Sequence, residues 1–176
     1  MSLCLGLDLG TTKIAAALVD VSTRNMLAAT SCLSMAELNL GNGKSEQNVE
    51  RILNWVDKCV VEIPVDLRKQ VAAIGITGQM HGVLLWNPGD PKTSSLITWQ
   101  DQRCNFSGFI GELQEVTGDH SIKSGYACAS LAWLAKHNPT LLGDYSCCST
   151  IQDYLLSLLC ELSYSVTDYS DAASWG

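Results

Sequence analysis

The sequence has no apolar run of the ~18 residues that a membrane-spanning helix needs. Its first stretch, MSLCLGLDLGTT, has no basic segment ahead of the apolar one, and Asp8 interrupts it, so it does not read as a secretory leader. Positive charge is scarce: 11 Lys and Arg stand against 18 Asp and Glu, for a net charge of −7. That balance argues against broad attraction to nucleic acid or an anionic membrane. A phosphate remains bindable, because backbone N–H groups hold anions without any net positive charge. There are 8 cysteines but no C-x-x-C pair, so the usual zinc spacing is missing. Cys4 lies in a strand pattern, Cys59 and Cys160 fall at core-facing places in helical patterns, and Cys147 and Cys148 are adjacent. These positions suggest reduced, mostly buried thiols in a reducing, cytoplasmic setting rather than a disulfide framework. Internal repeats, low-complexity tracts and linkers are absent as well.

What is present is a chain of 176 residues, 47% of them hydrophobic, enough for one substantial core. Leu3 to Leu9 reads as a buried strand, Ile14 to Val21 as a second, and Met26 to Leu33 as a third after the polar turn Ser22-Thr23-Arg24-Asn25. Val49, Ile52, Leu53, Val56, Cys59, Val60 and Ile63 then recur at helical spacing until Pro64 stops them. Val71 to Ile76 reads as a further buried strand and Leu96 to Thr98 as a short one, with helices expected over about 106–116, 129–137 and 152–160. Three strands on tight connections, a crossover helix and another strand make an α/β domain with a mixed sheet and a right-handed crossover. No polar tail or capping signal follows Ala173-Ser174-Trp175-Gly176, so the chain is expected to be a truncated piece of something longer.

Three loops after strands carry the candidate chemistry. In Asp8-Leu9-Gly10-Thr11-Thr12-Lys13, a carboxylate can hold Mg²⁺ through water, and Gly10 lets the backbone approach a phosphate. The Thr11 and Thr12 hydroxyls and amides can donate to that phosphate, and Lys13 adds a point charge. The same stretch also fits a simple hairpin turn. GITGQMHGVLLW places Gln79, Met80 and His81 between glycines, although a turn needs only the glycines. Alone, a loop histidine is more often a surface residue and a methionine more often core filler. In Trp99-Gln100-Asp101-Gln102-Arg103, a carboxylate and a guanidinium two apart on a strand end can grip a polyol beside an apolar Trp99 wall. A surface ion pair beside a core tryptophan is the alternative. Together, such loops match the rule that open α/β sheets bind ligands at strand ends.

LDLGTT, GITGQMHG, WQDQR and TDYSDAAS, in this order, resemble the FGGY carbohydrate kinases. The glycine-flanked QMHG is similar to the xylulose-phosphorylating branch. TWQDQRC, GYACASLAWLAKHNP, IQDYLLSLLC and AASWG are more similar to the branch acting on the seven-carbon ketose sedoheptulose. The resemblance covers the whole chain. It implies an actin/Hsp70-like (ribonuclease H-like) ATPase fold, with residues 1–176 as a truncated N-terminal domain and a C-terminal nucleotide-binding domain outside them. It further implies a cytoplasmic kinase that moves the ATP γ-phosphate to a ketose, giving sedoheptulose 7-phosphate, with ATP and Mg²⁺ as cofactors and no nucleic-acid or membrane partner. By the same resemblance Asp8 is the Mg²⁺ carboxylate, and Gly10, Thr11, Thr12 and Lys13 form the phosphate loop. Gln79, Met80, His81, Asp101 and Arg103 contact the sugar, and the general-base Asp lies beyond residue 176. One departure stands out: where the family commonly has a basic residue seven after the Asp, this chain has Ala15, and Lys13 on the same strand face is the substitute.

Overall fold

A computed structural model describes residues 2–176, which form two compact units. The first contains the chain up to Ala36 together with Glu50–Gly78, and the second contains Glu37–Val49 and Gln79–Gly176. In chain order the strands are β1 (Leu3–Leu9), β2 (Lys13–Asp20), β3 (Asn25–Leu33), β4 (Glu37–Leu38), β5 (Glu46–Gln47), β6 (Val71–Gly78), β7 (Leu84–Trp86), β8 (Leu96–Ile97) and β9 (Cys147–Ser149). The helices are α1 (Val49–Glu62), α2 (Val65–Arg68), α3 (Phe109–Thr117), α4 (Ala127–His137), α5 (Pro139–Gly143), α6 (Ile151–Leu159) and α7 (Tyr169–Ala173), with a 3-10 segment over Arg103–Gly108.

The first unit is built on a mixed sheet of order β3-β2-β1-β6, antiparallel except for the parallel β1–β6 pair. Because strand side chains alternate between faces, Leu3, Leu5, Leu7, Leu9, Ile14, Ala16 and Leu18 are all buried on one face. Helix α1 covers that face with Ile52, Val56 and Cys59, the period visible in the sequence. Two polar contacts fix the helix there: the Thr30 hydroxyl donates to the Cys59 carbonyl at 2.8 Å, and the Cys59 thiol lies 3.8 Å from the Ile14 carbonyl. The opposite face holds Gly6, Asp8, Ala15 and Ala17, small apart from the carboxylate, and it is only partly covered.

Two expectations about burial need correction. Val71 to Ile76 does not form a buried strand: β6 is an edge, paired with β1 alone among the described residues, and Ile74 is 48% exposed. An apolar parallel strand reads the same whether one neighbour or two flank it, so burial was not legible there. Cys160 is exposed rather than core-facing, because α6 ends at Leu159 and the helical period no longer applies. The remaining thiols are buried or half-buried and unpaired.

In the second unit, β4-β5-β8 and β7-β9 are small antiparallel sheets, and an antiparallel bridge joins Val83 to Ile97. One core cluster gathers Val83, Leu85, Ile97, Ala127 and Leu134; a second gathers Cys104, Phe109, Ile122 and Ala129. Trp133 packs against both, and the small Ala127, Ala129 and Ser130 of α4 let that helix approach closely. Gly125 is obligatory here. It sits at φ 89°, and a Cβ on it would lie 2.1 Å from the Trp99 carbonyl oxygen.

Thr150 caps the start of helix α6, its hydroxyl accepting from the Asp153 N–H. The Asp153 side chain is buried, and its Oδ2 has no hydrogen-bond partner among the described residues. Burial pushes this carboxyl above its ordinary 3.8; Thr167 and Thr150 pull against the rise, and Asp171 and Asp168 add to it. A carboxyl raised on folding binds a proton more tightly in the native state. Its contribution to stability therefore falls as pH rises from about 3.8 through the raised value. Asp153→Asn should match the parent in thermal stability near pH 4 and exceed it near pH 8 by about 1 kcal/mol, the lower end for relieving a buried unsatisfied group. Melting curves across this range check it; an advantage independent of pH would contradict the assignment.

Candidate functional site

In the first unit the candidate residues cluster at the β1–β2 turn. Asp8 is exposed near the end of β1, opposite Ala15 on β2 and Thr77 on β6. Opposed strand residues share a face, so Asp8, Ala15 and Lys13 all belong to the small-residue face away from α1. A recess of about 470 Å³ lies there, lined by Gly6, Asp8, Ala15, Ala17, Gly75 and Thr77. Gly10 closes the turn so tightly that a Cβ would stand 2.9 Å from the Lys13 carbonyl oxygen. Ser34 anchors the turn from behind: its N–H donates to the Thr12 carbonyl at 2.9 Å and its hydroxyl to the Thr11 carbonyl at 2.8 Å. Thr12 and Lys13 are exposed.

Among the described residues, no three His, Cys, Asp or Glu gather as a metal cluster. A lone exposed carboxylate over a roomy recess is nevertheless the donor set that suits Mg²⁺, which keeps most of its water and takes one or two carboxylates. The residues present fit that ion.

In the second unit, Gln79 is buried and its side-chain amide donates to Gln47 at 2.9 Å. Met80 is 50% exposed. His81 sits in the left-handed region at φ 66°, a conformation that costs a non-glycine residue about 1 kcal/mol. Its partners hold it there. The imidazole stacks on Tyr126 with centroids 4.5 Å apart and rings 7° from parallel. Its Nδ1 bonds the Ser174 carbonyl, and its backbone N–H donates to the Ser174 hydroxyl at 3.4 Å. A carbonyl only accepts, so in the neutral ring Nδ1 carries the proton and Nε2 is left as an acceptor. Ser174 is itself secured, since its hydroxyl donates to the Asp171 carbonyl at 2.7 Å. The Asp171 carboxylate takes bonds from Gln152 at 2.6 Å and Thr150 at 3.2 Å. The IQDY and TDYSDAAS stretches thus act together: they dock α7 on the start of α6, which sets Ser174 behind His81.

Asp101 and Arg103 differ from the strand-end pair that the spacing suggested. Neither lies on a strand: β8 ends at Ile97, and Arg103 opens the 3-10 segment. They face each other. Asp101 is fully buried, and Arg103 donates to it from its backbone N at 2.9 Å and from Nε and Nη2 at 2.8 Å. The Ser45 N–H adds a bond to Asp101 Oδ2 at 2.8 Å. Arg103 Nη2 also bonds Glu46, which in turn accepts from the Ser95 hydroxyl. The guanidinium lies 5.4 Å from the Trp133 ring centroid. Burial works to lower the Arg103 pKa, but the bonds to Asp101 and Glu46 outweigh it and hold it above the ordinary value. Trp99 is 47% exposed beside this cluster. Sequence reasoning missed Glu46, Gln47, Tyr126 and Ser174. Their partners leave no local signal, since each acts on a residue far away in the chain.

A tight glycine–threonine turn at a strand end in one unit, and a clamped histidine and a buried ion-pair cluster in the other, are the structural forms of the loops that resemble those of sugar kinases. The sequence matches the family described as "FGGY family of carbohydrate kinases, N-terminal domain" over residues 3–176. The chain belongs to the FGGY family of carbohydrate kinases. It is 36% identical to the sedoheptulokinase of Homo sapiens over 98% of its own length and 41% of that protein's. Its fold superposes on the crystal structure of xylulose kinase from Rhodospirillum rubrum with a TM-score of 0.84 at 21% identity, covering 99% of this chain and 37% of that one. Plasmodium falciparum glycerol kinase, solved with ADP, gives a TM-score of 0.78 at 18% identity over 99% of this chain and 37% of that one. The fold is the actin/Hsp70-like ATPase fold of these sugar kinases, and the chain spans about two fifths of the length of the curated relative.

Magnitudes separate the buried cluster from surface pairs. Asp101→Ala strips Arg103 of its main partner and should destabilise the chain by about 2–4 kcal/mol, moderated by Glu46. Lys136→Ala removes an exposed pair with Glu112 at 2.6 Å and should leave stability nearly unchanged, because solvent screens such pairs. Urea titrations of both variants measure the contrast; equal losses would contradict it.

Proposed function

We propose that this chain is the phosphate- and sugar-holding N-terminal part of an ATP-dependent ketose kinase that converts sedoheptulose to sedoheptulose 7-phosphate in the cytoplasm. The observation that carries the reading is His81. A strained backbone, a stacked ring and a fixed Nδ1 proton are arranged so that Nε2 is presented as an acceptor. That is how a site grips a sugar hydroxyl, with half-exposed Met80 as the apolar face and Gln79 setting the loop from within. Asp101, saturated by its neighbours, acts by fixing Arg103 and the adjoining Trp99 wall. The 36% identity to human sedoheptulokinase favours the seven-carbon ketose. Xylulose is the second reading, favoured by the glycine-flanked QMHG loop.

The Thr11 and Thr12 amides and hydroxyls, with Lys13, hold the transferring phosphate; Asp8 would hold Mg²⁺, which would supply neutralisation of phosphate charge. The primary hydroxyl of the ketose attacks the γ-phosphorus, the bond to the bridging oxygen breaks and ADP leaves. A carboxylate from chain beyond residue 176 takes the hydroxyl proton.

Two substitutions in the longer enzyme should divide along these lines. His81→Ala should lower kcat/KM for ketose by about 1–3 kcal/mol in transition-state stabilisation while leaving the KM for ATP in place. Asp8→Asn should lower kcat, most at limiting Mg²⁺, while ketose binding survives. Steady-state kinetics with both substrates varied read the split, and loss of ATP affinity in the histidine variant would overturn the sugar role. The 176 residues alone should release no ADP in response to ketose; turnover in a coupled assay would place the base within this chain.

A further inference from the structure

One pair of side chains in the first unit has no part in the kinase reading. Cys32 on β3 and Cys59 on α1 place their Sγ atoms 3.5 Å apart. Cys59 is 2% exposed and held against the Ile14 carbonyl, whereas Cys32 is half-buried. A recess of about 270 Å³ opens beside them, lined by Cys32, Trp55, Lys58, Cys59 and Glu62. A small oxidant can therefore reach the outer sulfur while the inner one waits behind it. A disulfide needs an S–S distance of about 2.05 Å, so the two sulfurs have to close by roughly 1.5 Å. The Thr30 bond to the Cys59 carbonyl keeps strand and helix together during that closure.

We propose that Cys32 and Cys59 form a peroxide-oxidisable dithiol whose disulfide staples α1 to β3. The Cys32 sulfur attacks one oxygen of hydrogen peroxide; the O–O bond breaks, leaving Cys32 sulfenic acid and one water. The Cys59 sulfur then displaces the hydroxyl from the sulfenic sulfur. The S–S bond forms, the S–O bond breaks, and a second water leaves with the Cys59 proton. Two thiols are oxidised by two electrons and one peroxide is reduced to two waters. Burial and the adjoining Cys59 push the Cys32 thiol up to about 11, with Glu62 raising it and Lys58 opposing, so the first step is slow at neutral pH. This staple responds to sustained oxidant and does not act as a fast sensor. The loop it closes contains all of residues 37–49, the excursion that supplies Ser45, Glu46 and Gln47 to the second unit. Closing that loop restricts the unfolded chain and should raise Tm by roughly 5–10 °C.

Trypsin places the two cysteines in separate peptides, 25–44 and 59–68, each with a single cysteine. The reduced chain is treated with hydrogen peroxide, its remaining thiols are alkylated, and the digest is mapped without reduction. The expected product is peptide 25–44 joined to 59–68 with loss of two hydrogens, together with a Tm rise that dithiothreitol reverses. Cys32→Ser, a mild change at a half-buried place, should abolish both the linked peptide and the Tm gain. Should Cys59→Ser fail to fold, the Cys32 variant and the parent mapping still decide. Cys32 recovered only as free thiol or sulfinic acid, or links formed only through exposed Cys160, would overturn the proposal.

Discussion

Arg103 is a permanently charged group 5% exposed inside the second unit, and neutralising it organises that unit's polar interior. An isolated buried guanidinium would be prohibitive, since the effective desolvation penalty is several kcal/mol per ion. Asp101 meets it with both carboxylate oxygens, and Glu46 supplies a second negative charge. These two acids come from distant parts of the chain, so the ion cluster is also a fastener. It draws β5 to the segment after β8, where Ser45 and Thr98 add a hydroxyl contact at 2.7 Å. Gly125 presses its bare Cα against the Trp99 carbonyl in the same region, and Tyr126 follows it directly under His81. The histidine clamp is thus assembled beside a charged core that cannot relax without exposing an ion.

The same residue type meets opposite fates in the two candidate loops. Asp8 stands exposed over a face of glycine and alanine, where a hydrated cation has room. Asp101 is fully buried and saturated by four donor groups. Burial and saturation, not residue identity, separate a carboxylate that can receive a ligand from one that shapes the wall of a pocket. Each loop follows a strand end, which is where backbone direction exposes side chains in α/β sheets.

The α1 helix was legible because its apolar period runs for 14 residues, and β1 to β3 because alternation and polar turns bound them. The two- and three-residue strands β4, β5, β7, β8 and β9 are too short to show any period, and only β8 had a local cue. Exposure of β6 depended on a neighbour count that sequence does not carry. The candidate loops were legible as loops, but their internal wiring was not. Ser174 lies 93 positions from His81, and Glu46 lies 57 from Arg103, so neither partner leaves a local trace. The TDYSDAAS stretch was visible as a pattern without a purpose. Its Asp171 and Ser174 bonds supply one.

In the proposed function, the 79–81 loop, with His81 fixed as an Nδ1–H tautomer, receives ketose hydroxyls. The most direct measurement is nuclear magnetic resonance of the chain with ¹⁵N-labelled histidine and ¹³C-labelled methionine methyls, titrated with sedoheptulose. The account predicts a protonated Nδ1 at His81 before ligand is added. It then predicts saturable shifts at His81 Nε2 and the Met80 methyl, while His120, exposed and distant in sequence, stays still. A proton on Nε2 in the free chain, or shifts that avoid both loop residues while sugar binds elsewhere, would contradict it.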